Sequence, residues 1–308
     1  MKAKKISLFI SVIVVLGVGV YFGQQYCTGF RKAKQERLLY EARKAAWQDL
    51  QQHIKNEISQ FNGETGIVIK DLETGWEFSH EKAKLFPSAS LAKIPLMAAC
   101  FLAADQGRIK LDRNIALKSA DKLTGSGVLK DMPAGITFSV EKLIGLMIYD
   151  SDNTATNIIT NLFGIDYLNS VFKAFGLKNT DLSRKIADYQ SRDKGVENYT
   201  TAEDMALLLE NIYRRTLGNK YVSGQCINML KLTRMNDRIP KYLPANITIA
   251  HKTGLENGVC HDAGIVFTRK GNFIIAVLTK HVNSNSAPSK EFIAKVSLHA
   301  YKYFEQLQ

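Results

Sequence analysis

Asp262-Ala263-Gly264-Ile265-Val266-Phe267-Thr268-Arg269-Lys270-Gly271-Asn272-Phe273-Ile274-Ile275-Ala276-Val277-Leu278-Thr279 reads as two strands joined by a turn at Arg269-Lys270-Gly271-Asn272. Just upstream, Ile247-Thr248-Ile249-Ala250 is a further strand pattern that runs into Lys252-Thr253-Gly254. Downstream, residues 290–304 predict a last helix. At the other end of the domain, Gly66-Ile67-Val68-Ile69-Lys70-Asp71-Leu72 and Trp76-Glu77-Phe78-Ser79 flank Glu73-Thr74-Gly75, a hairpin signal. Helical patterns fill the middle, at about 91–106, 140–146, 154–162, 165–175 and 202–214. Strands at both ends with helices between predict an α+β fold. One antiparallel sheet is assembled from both termini, and an all-helical region is inserted into it.

The N-terminus is of another kind. Lys2, Lys4 and Lys5 precede residues 6–23, eighteen residues without a charge and rich in Val, Ile, Leu and Phe. As a helix that run spans roughly 27 Å, close to the hydrocarbon thickness of a bilayer. A cleaved signal peptide is the competing reading, but Tyr21-Phe22-Gly23-Gln24-Gln25-Tyr26 offers no Ala-x-Ala site. Cys27 in this context is a poor site for lipid attachment. The expectation is therefore a cytoplasmic N-terminus at 1–5, a single-pass membrane anchor at 6–26, a helical stalk at 27–45 and an extracytoplasmic catalytic domain at 46–308. Residues 31–59 predict one amphipathic helix, in which Leu39, Ala42, Ala46, Leu50, His53 and Ile54 recur near helical spacing.

The net charge is +12, with 41 Lys and Arg against 29 Asp and Glu. The cations are spread along the chain and no nucleic-acid motif accompanies them, so a partner among anionic envelope polymers or headgroups fits better than nucleic acid. Cys27, Cys100, Cys226 and Cys260 show no metal spacing. His251 and His261 lack a third zinc ligand, so structural roles are expected. No glycine-rich phosphate loop is present, and neither metal nor cofactor is expected.

Chemistry is carried by three motifs in order: Ser90-Leu91-Ala92-Lys93, Ser151-Asp152-Asn153 and Lys252-Thr253-Gly254. Ser-x-x-Lys alone is uninformative, since it also occurs at Ser79/Lys82, Ser119/Lys122, Ser139/Lys142, Ser170/Lys173 and Ser191/Lys194. Only Ser90 is followed by the other two motifs in suitable contexts. A serine at a helix start has free N–H groups and a positive dipole end beside it, which favour a developing oxyanion. Lys93, three residues on, shares its face and can act as base if burial keeps it neutral. Ser151 can relay a proton, and Asn153 can hold a lysine or a substrate amide. Lys252 and Thr253 can bind a carboxylate, and Gly254 lets the backbone approach substrate.

These motifs, in this order, resemble the penicillin-recognising serine enzymes, and within them the class A β-lactamase-like group. Gly125-Ser126-Gly127-Val128-Leu129, the stretch Met147 to Asn157, and Asn198-Tyr199-Thr200-Thr201-Ala202 are similar to that group as well. The resemblance covers about residues 45–306. It implies a three-layer α/β/α domain with a five-stranded antiparallel sheet, an inserted helical domain, and the site in the cleft between them. By that resemblance Ser90 is the acylated nucleophile, Lys93 its base and Ser151 the proton shuttle. Asn153, Lys252, Thr253 and Gly254 would position substrate, and the N–H groups of Ser90 and Leu255 would form the oxyanion hole.

The family's deacylating loop carries Glu-x-x-x-Asn. Here Leu182-Ser183-Arg184-Lys185-Ile186-Ala187-Asp188-Tyr189-Gln190 stands in its place without a glutamate. Asp188 is the nearest carboxylate by position, and Glu197 lies too close to Thr200 to take the place of that glutamate. Three readings follow. The first is a β-lactamase-like hydrolase that opens β-lactam amides. The second is a D-Ala-D-Ala peptidase or related amidase or esterase acting on peptidoglycan-derived substrates. The third is a non-catalytic envelope-binding protein.

Overall fold

The computed structural model describes residues 2–281 and 285–307, with side chains from Gln25 onward except Cys27. The chain begins with α1 (Lys2–Gln60). Then come β1 (Gly63–Asp71), β2 (Glu77–His80), the short β3 (Phe86–Pro87), α2 (Lys93–Asp105) and β4 (Asn114–Ala116). β5 (Thr137–Ser139), α3 (Val140–Tyr149), α4 (Asn153–Phe163), α5 (Ile165–Ala174) and the one-turn α6 (Tyr189–Asp193) follow. The remainder is β6 (Tyr199–Thr200), α7 (Ala202–Tyr213), α8 (Lys220–Leu230), β7 (Thr248–Glu256), β8 (Val259–Thr268), β9 (Gly271–His281) and α9 (Ala287–Gln306).

The main sheet has the order β2-β1-β9-β8-β7, antiparallel throughout. β1 pairs with β9 from Gly63↔His281 to Asp71↔Phe273, which joins the N-terminal hairpin to the C-terminal strands. In β9, Phe273, Ile275 and Val277 point to one face, and Ile274, Ala276 and Leu278 to the other. This two-residue period with apolar side chains on both faces requires cover on both sides. On one side Trp47, Leu50 and Ile54 of α1 and Phe292, Ile293, Val296 and Phe304 of α9 supply it. On the other the inserted helices do. There α2 is apolar all round, buried from Lys93 through Phe101, and serves as the axis of the helical region. The expected α+β, three-layer arrangement is the one observed.

Helix α1 is continuous through the expected stalk. Its residues 28–42 are exposed, and the docked stripe is Trp47, Leu50 and Ile54. Leu39 and His53, expected on that stripe, are largely exposed, while Trp47 belongs to it and packs edge-on against Tyr303. Arg43 marks the docking point, donating to Asp71 and Glu73 of the first hairpin turn and to Tyr303. The expected anchor at 6–26 falls mainly on residues outside those whose side chains are described. Among the described residues no helix is long and apolar enough to cross a membrane.

Candidate active site

The three motifs converge from separate elements. Ser90 lies in a 3-10 turn, Ala89–Ala92, that leads into α2, so the expected helix from residue 91 begins as a tighter turn. Ala89 adopts φ +44° immediately before the nucleophile. Ser151 adopts φ +53° in the corner between α3 and α4. A non-glycine residue at positive φ costs about 1–3 kcal/mol and persists only where its surroundings hold it. At Ser151 those surroundings include Asp152. Its carboxylate caps α4 through Ala155 N–H at 2.8 Å and accepts from Val128 and Leu129 N–H at 2.7 and 2.8 Å. Gly127, at φ +110°, passes so close that an added Cβ would lie 2.3 Å from that carboxylate.

Ser151 Oγ stands 2.9 Å from Ser90 Oγ. Lys93 Nζ donates to Ser151 O at 2.7 Å, Ser151 Oγ at 3.1 Å and Asn153 Oδ1 at 3.1 Å. Lys252 Nζ reaches Ser151 Oγ from the other side, at 3.1 Å, and donates to Thr253 O at 2.9 Å. Ser151 is thus the hub, and Lys93 connects to Ser90 through it. Both lysines are fully buried. Burial, helped by the Lys252 charge, pulls the Lys93 ammonium well below its ordinary range. Burial likewise brings Lys252 to about 7, with Asp262 opposing and Arg238 assisting. Two cations around one hydroxyl repel each other, so the pair favours a state with one proton fewer.

Neighbouring strands hold these groups in place. Gly254 of β7 packs where an added Cβ would lie 3.1 Å from His261 and 3.4 Å from Leu91, which lets this edge strand approach the Ser90 turn. His261 accepts from Thr279 N–H at Nδ1 and presents Nε2 to Pro87 O at 2.8 Å, bracing the segment before Ser90. Burial lowers His261 to about 4, so the ring is neutral. His251 bonds Asp262 at 2.9 Å. Among the described residues no group of three His, Cys, Asp or Glu side chains could hold a metal.

The profile of the family described as Beta-lactamase enzyme family matches residues 49–304, which include every residue of this hub. The chain belongs to that family. Beta-lactamase VEB-1 of Pseudomonas aeruginosa is 25% identical over 276 residues, 82% of this chain and 89% of that one. The crystal structure of a beta-lactamase from Sphaerobacter thermophilus superposes with TM-score 0.77 at 30% identity, covering 85% of this chain and 99% of that one. A mutant of PBP-A, in an acyl-enzyme complex with penicillin-G, gives TM-score 0.78 at 30% identity, covering 84% of this chain and 97% of that one. The protein is accordingly a β-lactamase-like serine hydrolase.

In this β-lactamase-family chain the pocket over Ser90 is lined by Gly125, Ser126 and Asn153 on one side and Leu255 and Glu256 on another. Its remaining wall is the loop before β6, through Arg184, Ile186, Ala187, Tyr189, Glu197 and Asn198. Asn198 staples that loop, accepting from Ser183 and Arg184 N–H and donating to Arg184 O, while its own carbonyl takes Ser88 N–H. Asn157 holds Ile186 O at 3.0 Å. Asp188, the candidate base, caps α6: its carboxylate accepts from Ser191 N–H at 3.0 Å and Ser191 Oγ at 2.7 Å. Those bonds lower its pKa. The carboxylates that line the pocket are Glu197 and Glu256, together with Arg184. Sequence reasoning set Glu197 aside for its closeness to Thr200 and missed the roles of Arg184 and Glu256, because those come from pairing across the loop and strand. Of the other Ser-x-x-Lys matches, Ser139 caps α3 by accepting from Lys142 N–H, an ordinary N-cap.

Proposed function

We propose that this protein opens β-lactam amides through an acyl-enzyme at Ser90. The observation that carries the reading is the chain Ser90 Oγ–Ser151 Oγ–Lys93 Nζ, closed on its far side by Lys252. With Lys93 neutral, Ser90 Oγ attacks the lactam carbonyl carbon, and its proton passes to Ser151, whose own proton moves to Lys93 Nζ. Hydroxyls rotate freely enough to donate in either direction. The N–H groups of Ser90 and Leu255 would accept the oxyanion, and such donors are worth about 10²–10³-fold each. Return of the proton through Ser151 to the departing nitrogen breaks the C–N bond and leaves the ester on Ser90. Lys252 and Thr253 would hold the substrate carboxylate, with Asn153 at the amide side chain. The acyl-enzyme complex of the PBP-A mutant with penicillin-G supports this reading.

Ile186 favours a second reading on the same scaffold. It lines the pocket in the loop stretch where a deacylating glutamate would be expected, and the two carboxylates that also line the pocket, Glu197 and Glu256, are both engaged by Arg184. Acylation without efficient hydrolysis suits a D-Ala-D-Ala peptidase or related amidase acting on peptidoglycan-derived amides. Intact-mass spectrometry after mixing with a fluorescent penicillin tests both. A single adduct that persists, absent in Ser90→Ala, is expected. Absence of both an adduct and β-lactam hydrolysis on wild type would refute the acyl-enzyme reading. The apolar run at 6–23 motivates the further proposal that the domain works outside the cytoplasmic membrane, tethered by an uncleaved single-pass helix. Full-length protein is then expected in washed membranes, and mature protein beginning at residues 24–27 would overturn the tether.

A further inference from the structure

The C-terminal end of β7 and the loop before β6 face each other across the mouth of the Ser90 pocket. β7 is the edge strand of the sheet, held by β8 on one side only. Its buried stretch, Ala250 to Gly254, gives way to Leu255, which is 49% exposed. At the residue whose N–H is proposed to receive the oxyanion, the strand keeps its ladder to β8, through Leu255↔Cys260 and Glu256↔Val259, but has no buried side chain to anchor it. Glu256, the next residue, adds a side-chain tie to the loop opposite. Arg184 Nη2 donates to both Glu256 carboxylate oxygens at 3.3 Å and to Glu197 Oε1 at 2.6 Å. The Arg184 side chain is 3% exposed, and Arg192 of α6 stands a further 3.7 Å from Glu256.

Arg184 thus has two unlike arms. The arm to Glu197 stays within its own loop; the arm to Glu256 crosses to the strand. Charge-assisted bonds of this kind, shielded from water, restrain the outer side of a strand end that β8 pairs on the other side and no buried side chain anchors.

We infer that Glu256 is a positioning residue for acyl transfer, acting through Arg184 to hold the Leu255 N–H at working distance over Ser90. This rests on the acyl-enzyme reading above. The arrangement also separates positioning from stability. Removing Glu256 leaves Arg184 paired with Glu197, so no buried charge is stranded and the usual penalty for breaking a buried pair is avoided.

The test is rapid-mixing acylation by a chromogenic cephalosporin, resolving the acylation rate constant from the affinity of the preceding complex. Glu256→Ala is expected to lower the rate constant about tenfold or more, since a misplaced oxyanion donor is costly. Complex affinity should change no more than about threefold and the thermal midpoint should barely move, because the pocket walls and the Glu197 arm persist. Glu256→Gln, which keeps an acceptor oxygen, should recover part of the loss. In an Arg184→Met background Glu256→Ala should cost nothing further, as expected of groups acting as one unit; if R184M does not fold, E256Q carries the comparison. Hydrogen exchange should rise in E256A at residues 254–258. An unchanged rate constant in E256A, an effect confined to affinity, or an additive effect with R184M would overturn the inference alone. A wild type that neither forms an adduct nor hydrolyses the cephalosporin would overturn the acyl-enzyme reading and this inference with it.

Discussion

Ser151 Oγ lies 2.9 Å from Ser90 Oγ, and through it the nucleophile meets both buried lysines. No shorter route links Ser90 to a base among the hydrogen bonds of the described residues. Ser151→Ala should therefore slow acylation by about 10²–10⁴-fold, the usual contribution of a positioned acid–base group. The folded state should survive, since one small hydroxyl is lost from a corner held by Asp152. Stopped-flow acylation with a thermal melt checks it; near-wild-type acylation in S151A would remove Ser151 from the proton path.

The two lysines predict a pH profile. Lys93 loses its proton well below the ordinary range and Lys252 at about 7. Acylation by a carboxylate-bearing penicillin should rise with pH as Lys93 becomes a base. It should then fall through about pH 7 as Lys252 loses the charge that binds the carboxylate. Lys252→Arg keeps its charge at every accessible pH. In that variant the alkaline limb should move up by more than one pH unit while the acid limb stays. An alkaline limb that does not move in K252R would show that another group sets it.

Deacylation should respond to the loop. Ile186 lines the pocket, whereas the Asp188 carboxylate is committed to the α6 cap. Ile186→Glu is expected to shorten the lifetime of the penicillin adduct about tenfold or more by placing a base near the ester. Asp188→Asn should leave that lifetime unchanged, with a modest loss of stability from the weakened cap. Time-resolved intact-mass spectrometry reads both, and a longer-lived adduct in D188N would restore Asp188 as the base.

Gly127 is where a single methyl group should be costly. At φ +110° and 2.3 Å from the Asp152 carboxylate, an alanine Cβ has no room. Gly127→Ala should cost about 1–3 kcal/mol from backbone strain alone. That corresponds to several degrees of melting temperature in a domain of this size. It should also slow acylation, because Asp152 sets the Ser151 corner. Gly135→Ala, at φ +91° with nothing within 4 Å of the added Cβ, is the control for strain without a clash.

The sheet was legible in the sequence because strand periodicity is local. Phe273 to Leu278 alternate between two apolar faces. The turn, expected over 269–272 and tightened to Arg269-Lys270 because Gly271 and Asn272 already pair with Thr268 and Phe267, needs only its own residues. Helix α8 was not read, since Gly224 and Ser223 interrupt its apolar stripe and only the Asn219 cap signals it, through Val222 N–H. The motif series by itself determined which serine, which lysines and which asparagine belong together: order along a chain survives folding. Only the tertiary structure decided how they connect. Lys93, expected beside Ser90, turns to Ser151 and Asn153, because Ser151 at positive φ offers it both a carbonyl and a hydroxyl. Asp188, named by its position, is occupied by a cap. Arg184, Glu197 and Glu256, unremarkable as letters, join at the mouth of the site. A side chain's direction depends on its backbone dihedrals, and the partner of a buried charge on what else is excluded from water. Neither is a property of neighbouring residues in the sequence.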